Sequence, residues 1–159
     1  MKTLILGLGN PLVTDDSVGL RVAAELKRLL ADRPDVEVGE DYWGGLRLME
    51  RMIGFDRAIV IDAMVSGAPP GTVRRLTPES IPTQRSVSAH DVNLPTALAL
   101  GREAEAHLPA DDQIVLVGIE AEDILNFGEE CTEAVQAAIP RAVQEVLAAL
   151  DSLPGGSVR

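Results

Sequence analysis

Three aliphatic runs constrain this chain more than any other feature: Thr3 to Leu8 (TLILGL), Arg57 to Ile61 (RAIVI) and Gln113 to Ile119 (QIVLVGI). Each is apolar at consecutive positions after its first residue. A strand with one wet face would alternate instead, so these runs read as strands buried on both faces. Stretches of helical spacing lie between them. Val18, Leu20, Val22, Leu26 and Leu29 form one such stretch, after Thr14-Asp15-Asp16, whose oxygens can cap a helix. Leu46 to Met52, Asn93 to Ala106 and Glu130 to Leu150 are further helices, the last interrupted by Pro140. Val36 to Val38 is a short strand and Thr72 to Leu76 an edge strand. Strands alternating with helices make βαβ units. The expected fold is a three-layer α/β/α sandwich with a mainly parallel, twisted sheet of about five strands.

Length and composition fit that expectation. The 159 residues suit one domain, expected over 1–151, with a frayed tail over 152–159. Aromatic residues are only 3% of the chain, so its core is built from Leu, Val, Ile and Ala. Acids outnumber bases 25 to 14, for a net charge of -11, which argues against nucleic acid and anionic membranes as partners. One cysteine, Cys131, excludes an internal disulfide and a CxxC metal cluster. The N-terminal MKTLILGLGNP reaches Gly, Asn and Pro too early for a signal-peptide core, and no stretch approaches the ~18 apolar residues of a membrane span. A cytoplasmic location is expected.

In a parallel sheet of this kind ligands sit beyond the carboxyl ends of the strands, near a reversal of strand order. Asp16 follows the first apolar run, Asp62 follows Ile61 directly, and His90 ends a Ser/Pro-rich segment before a helix. Two carboxylates and an imidazole on one rim suit a borderline divalent metal with open positions. Each also has a plain structural alternative: a helix cap for Asp15 or Asp16, a turn acid for Asp62, a helix-start residue for His90. Gly7 and Gly9 begin a G-x-G-x-x-G pattern, but Leu12 stands where its last glycine belongs, so a dinucleotide site is a weak reading. Ser17, Ser86 and Ser88 lack a dedicated base. Cys131 reads as an incidental thiol at a helix start, and His107 as a solvated surface residue.

The ordered set ILGLGNPLVTDDSVG, IVIDAMVSG, SAHDVNL and LVGIE resembles the maturation endopeptidases of nickel-iron hydrogenases, over about residues 2–150. The resemblance implies an enzyme that removes the C-terminal extension of a hydrogenase large-subunit precursor after nickel insertion. It implies that Asp16, Asp62 and His90 bind the nickel supplied by the precursor, with adventitious zinc or cadmium able to take the same ligands. Asp16 stands where many relatives carry Glu. The metal would polarise the scissile carbonyl or lower the pKa of a bound water, and Asp16 or Asp62 would take the water's proton. The Pro78 to Ala89 segment would close over the bound tail.

One departure is Glu40-Asp41-Tyr42-Trp43-Gly44-Gly45, where relatives often have an acid followed by Gly-Gly-Thr. Neither Glu40 nor Asp41 receives a role, and Trp43 is a candidate groove residue. Asn126-Phe127-Gly128-Glu129 and Asn93-Leu94-Pro95-Thr96-Ala97 are cues to substrate subgroup. A monomer is the working expectation. Two other readings are open: a non-catalytic, metal-dependent docking or chaperone module for the same precursor, and a peptidyl-tRNA hydrolase-like enzyme, whose opening motif Leu4 to Pro11 resembles. That second family carries a catalytic histidine where this chain has Thr14-Asp15-Asp16.

Overall fold

The computed structural model describes residues 1–41, 45–78 and 93–152. Trp43, Ser86, Ser88, His90, most of the Pro78 to Ala89 segment and residues 153–159 of the tail lie outside the described residues. The strands are β1 (Thr3–Leu8), β2 (Val36–Asp41), β3 (Arg57–Met64), β4 (Val73–Leu76) and β5 (Ile114–Glu120); the helices are α1 (Val18–Leu29), α2 (Gly45–Met52), α3 (Leu94–Glu103) and α4 (Glu133–Ser152). The strands form one sheet in the order β2-β1-β3-β5-β4. All neighbours run parallel except β4, which pairs antiparallel with β5.

The three apolar runs become β1, β3 and β5, the centre of the sheet. Every residue of β1 and β3 is buried. Their side chains alternate between two cores. Ile5, Ile59, Ile61, Val117 and Ile119 pack with Val18, Val22 and Leu26 of α1 and Val135, Val143 and Val146 of α4. On the other face Leu4, Leu6, Val60 and Leu116 pack with Leu48 and Met52 of α2 and Leu94 and Leu98 of α3. Full burial of each such side chain is worth about 1.5–3 kcal/mol. The result is the expected three-layer α/β/α sandwich.

Several element bounds differ from the sequence reading; α3, for one, ends at Glu103 rather than Ala106. Strand β2 extends to Asp41 rather than Val38, because it pairs with all of β1, from Thr3 opposite Val36 to Leu8 opposite Asp41. Strand β3 runs through Asp62 to Met64, because β5 continues beside it, with Asp62 opposite Gly118 and Met64 opposite Glu120. Asp62 is thus a strand residue, not a turn acid. Helix α4 is continuous through Pro140, which lies exposed on its outer face, while Ala138, Ala142, Val143 and Val146 hold the inner face to the core. It also continues to Ser152, where a frayed tail was expected to begin. Before α1, Asp15–Ser17 forms a 3-10 turn, and neither acid caps α1 through its side chain.

The amino end of the sheet is closed by a structural contact. Arg57 is buried, and its guanidinium donates to Thr3 Oγ1 (2.8 Å) and to the Leu150 carbonyl (3.1 Å), tying β3 to β1 and the end of α4. The carboxyl end is different.

Candidate active site

Strand order reverses at β1, with β2 on one side and β3 on the other. The carboxyl ends of β1 and β3 therefore frame the crevice where such sheets bind ligands. Among the described residues every buried carboxylate lies on this rim: Asp15, Asp41, Asp62 and Glu120. Four carboxylates withdrawn from water at one end of a sheet need strong compensation, and each has an identifiable setting.

Asp15 is fully buried and binds the structure together. Its Oδ2 accepts from the Glu122 and Asp123 N–H groups (2.9 and 2.8 Å) and from Thr132 Oγ1 (2.8 Å), and its Oδ1 accepts from Thr132 N–H (2.7 Å). It thereby joins the turn after β1 to the loop after β5 and to the start of α4. Glu120, the last residue of β5, accepts from Ser66 N–H (2.8 Å), Ser66 Oγ (2.6 Å) and Gly67 N–H (3.2 Å), fixing the turn after β3. Asp41, the last residue of β2, accepts from Arg47 Nε (3.0 Å) and Arg51 Nη1 (2.9 Å) and so anchors α2. Its neighbour Glu40 is exposed and lines a shallow hollow with Gly9, Pro11, Leu20 and Arg47. The arginine anchor holds Asp41 in place, and Asp41 lines that same hollow.

Asp16 and Asp62 occupy the crevice itself. Gly7 pairs with Ile61, so Asp62 lies abreast of Leu8, where β1 ends. It is 1% exposed, and its Oδ1 accepts from Ala63 N–H (2.8 Å). Asp16 is half-buried, and its Oδ2 accepts from Asn10 N–H (3.0 Å), closing the loop that carries it. The 3-10 turn bearing Asp16 packs against β3. Two glycines allow this. A Cβ on Gly9 would lie 2.0 Å from the Asp16 carbonyl oxygen. A Cβ on Gly19 would lie 2.4 Å from the Leu8 and 2.5 Å from the Ile61 carbonyl oxygens. Only glycine lets the first turn of α1 sit directly on the ends of β1 and β3.

The structure thus brings Asp16 and Asp62 to one rim, at the reversal of strand order. Among the described residues no group of three or more His, Cys, Asp and Glu side chains could by itself hold a metal ion. The third donor implied by the resemblance, His90, lies outside the described residues. Carboxylate and imidazole donors are the kind that accept a borderline divalent ion.

The other chemical side chains are accounted for. Cys131 is buried, its thiol 3.8 Å from Ser17 Oγ, and burial pushes its pKa up, the opposite of an activated nucleophile. It lies just before α4, which starts at Glu133 rather than Glu130. His107 is exposed but not merely solvated: its Nε2 meets Asp56 Oδ1 at 2.9 Å. The sequence reading missed the clamp made by Asp15 and the anchor made by Glu120. Nothing local signals either, because the donors to Asp15 come from residues at least 107 positions away.

Comparison with known proteins places the chain as a whole. A family model described as hydrogenase maturation protease matches residues 20–149. The hydrogenase 2 maturation protease of Escherichia coli K12 is 32% identical, over 94% of this chain and 91% of that protein. The solved structure of the hydrogenase maturating endopeptidase HybD from E. coli superimposes with a TM-score of 0.72 at 31% identity, covering 94% of this chain and 92% of that one. A [NiFe] hydrogenase maturation protease HybD from Thermococcus kodakarensis gives a TM-score of 0.59 at 28% identity, over 93% and 98% of the two chains.

Proposed function

The chain belongs to the hydrogenase maturation protease family and is an endopeptidase, and from that premise we propose that it removes the C-terminal extension from the precursor of a nickel-iron hydrogenase large subunit once nickel is in place. The observation that carries the reading is the pairing of Asp16 and Asp62 on the crevice at the reversal of strand order, braced by the Asp15 clamp. Asp16, Asp62 and His90 bind the nickel, which arrives with the substrate. Its absence from a precursor leaves the three donors nothing to grip, so cleavage waits for metal insertion. Zinc or cadmium is able to take the same donors adventitiously.

The chemistry is hydrolysis of one peptide bond. The substrate's nickel polarises the scissile carbonyl. Water adds to the carbonyl carbon, and Asp16 or Asp62 accepts its proton. The C–N bond then breaks, and the released amine takes up a proton. Asp62, fixed within β3, is a rigid donor, and Asp16, on a turn closed by Asn10, is held nearly as firmly. On this reading the enzyme works as a monomer in the cytoplasm.

The test is the intact mass of a nickel-loaded precursor incubated with the wild-type chain and with Asp16→Ala, Asp62→Asn and His90→Ala. The wild type should release one C-terminal fragment, and each variant should lose at least about 100-fold in rate, in the range for removal of a group acting at the reacting bond. An unchanged mass with a stable complex would identify a docking module instead. Full activity of His90→Ala would remove the ligand assignment.

A further inference from the structure

We infer that Leu12, Leu125 and Phe127 form a docking platform for the precursor polypeptide, seating an apolar side chain near the scissile bond with a basic residue at the platform's acidic edge. The inference rests on the reading that this chain cleaves a precursor at the rim bearing Asp16 and Asp62.

Among the described residues, these three are large hydrophobics that the fold leaves in water on the loops after β1 and β5. Leu12 is 66% exposed, Leu125 86% and Phe127 83%. They come from two loops that are zipped together. Val13 and Phe127 make an antiparallel bridge, the Thr14 N–H and Oγ1 both donate to the Asn126 carbonyl (3.0 and 2.7 Å), and Gly128 N–H donates to the Leu12 carbonyl (3.1 Å). The second loop is also fixed from within. Asp123 Oδ1 accepts from the Leu125 and Asn126 N–H groups (both 3.0 Å), and Asp15 holds the Asp123 N–H. Leu12 and Phe127 are therefore presented by an ordered backbone around a shallow hollow of about 410 Å³ that Pro11, Gly128 and Glu129 also line, and Leu125 stands two residues before Phe127 on the same fixed loop. An apolar patch on an ordered support marks an interaction surface rather than an incidental exposure.

Its occupant follows from position and charge. Leu12 lies four residues from Asp16 on the loop that Asp16 itself closes through Asn10. At about 3.3 Å per residue, a few residues of extended substrate suffice to cross from the crevice onto the platform. Glu129 lines the hollow, and Glu122 and Glu130 are exposed on the same stretch between β5 and α4, in a chain of net charge -11. That edge favours a cation beside the apolar anchor.

Steady-state cleavage of nickel-loaded precursor by the full-length double variant Leu12→Ser/Phe127→Ser tests this, alongside the equilibrium Kd for the precursor. KM should rise about tenfold or more with kcat within twofold of wild type, whereas Asp16→Ala loses kcat. Leu125→Ser, at the most exposed position, should raise KM in the same direction and serves if the double variant fails to fold. Glu129→Gln/Glu130→Gln should raise KM at low salt, with the difference gone near 0.5 M salt, as screening requires. An unchanged KM in a wild type that cleaves would overturn the platform and leave the proposed function standing. If the wild type binds without cleaving, a tenfold weaker Kd in the double variant keeps the platform while the cleavage reading falls, and an equal Kd overturns both. A dimer that the double variant dissolves, with KM unchanged, would reassign the patch to self-association and overturn the proposal.

Discussion

Asp15 and Asp16 are adjacent in sequence and opposite in use. One faces inward and collects four hydrogen bonds from the loop after β5 and the start of α4. The other sits half-exposed at the crevice. Removing Asp15 strands those donors at a buried site, at a cost of about 1–3 kcal/mol for each group left unpaired. Asp15→Ala should therefore lower stability by at least about 3 kcal/mol, a fall in Tm of roughly 6–12 °C for a domain of this size. Thermal denaturation followed by circular dichroism checks this, and a Tm within 2 °C of wild type would contradict the clamp. The sequence displays both acids as equivalent candidates for a cap. Their division of labour was illegible because Asp15 is completed by Glu122, Asp123 and Thr132, which sequence distance hides. The rule that ligands sit beyond strand ends put Asp16, Asp62 and His90 forward as candidates, each with a structural alternative, and the ordered motifs that resemble a known family then implied a shared role for them.

At the scale of elements, the apolar runs that became β1, β3 and β5 were readable because burial on both faces removes alternation. Their exact ends were not. Asp62 belongs to β3 only because β5 runs on beside it, and Pro140 interrupts nothing because its ring faces water while the opposite side of α4 is buried. Tertiary packing overrode local preference in both places. The packing of α1 onto the strand ends yields a sharper expectation. A methyl group at Gly19 would strike two backbone carbonyls, at 2.4 and 2.5 Å, and neither is able to rotate away as a side chain would. Gly19→Ala should cost at least about 1–3 kcal/mol. It should also cut precursor cleavage more than an equally destabilising core change such as Val146→Ala, since α1 carries the Asp16 turn. Equal activity in the two variants would mean that this packing does not position the site.

Over the whole molecule, the two ends of the sheet have separate tasks. The amino end is closed by Arg57 against Thr3 and Leu150, and the carboxyl end gathers the buried acids and the exposed apolar platform. Surface carboxylates also set the response to acid. The Lys2 backbone N–H, followed by His107, holds Asp56 below the usual carboxylate range; Arg33 does the same for Asp35, and Asn126 for Asp123. A depressed folded pKa means that the unfolded chain binds more protons, so these contributions are complete above the unfolded value of about 3.9 and are lost as pH falls through the folded values. Asp56→Asn should lower Tm slightly at pH 6, and the difference from wild type should shrink as pH falls below the ordinary carboxylate range. A constant difference across that range would contradict the assignment.

The central claim is that cleavage is licensed by the metal the substrate carries. Intact-mass analysis of one precursor preparation, split into nickel-loaded and nickel-free halves and incubated with the wild-type chain, tests it most directly. The nickel-loaded half alone should lose a single C-terminal fragment. Equal cleavage of both halves would contradict it, leaving an endopeptidase that reads the precursor without reading its metal.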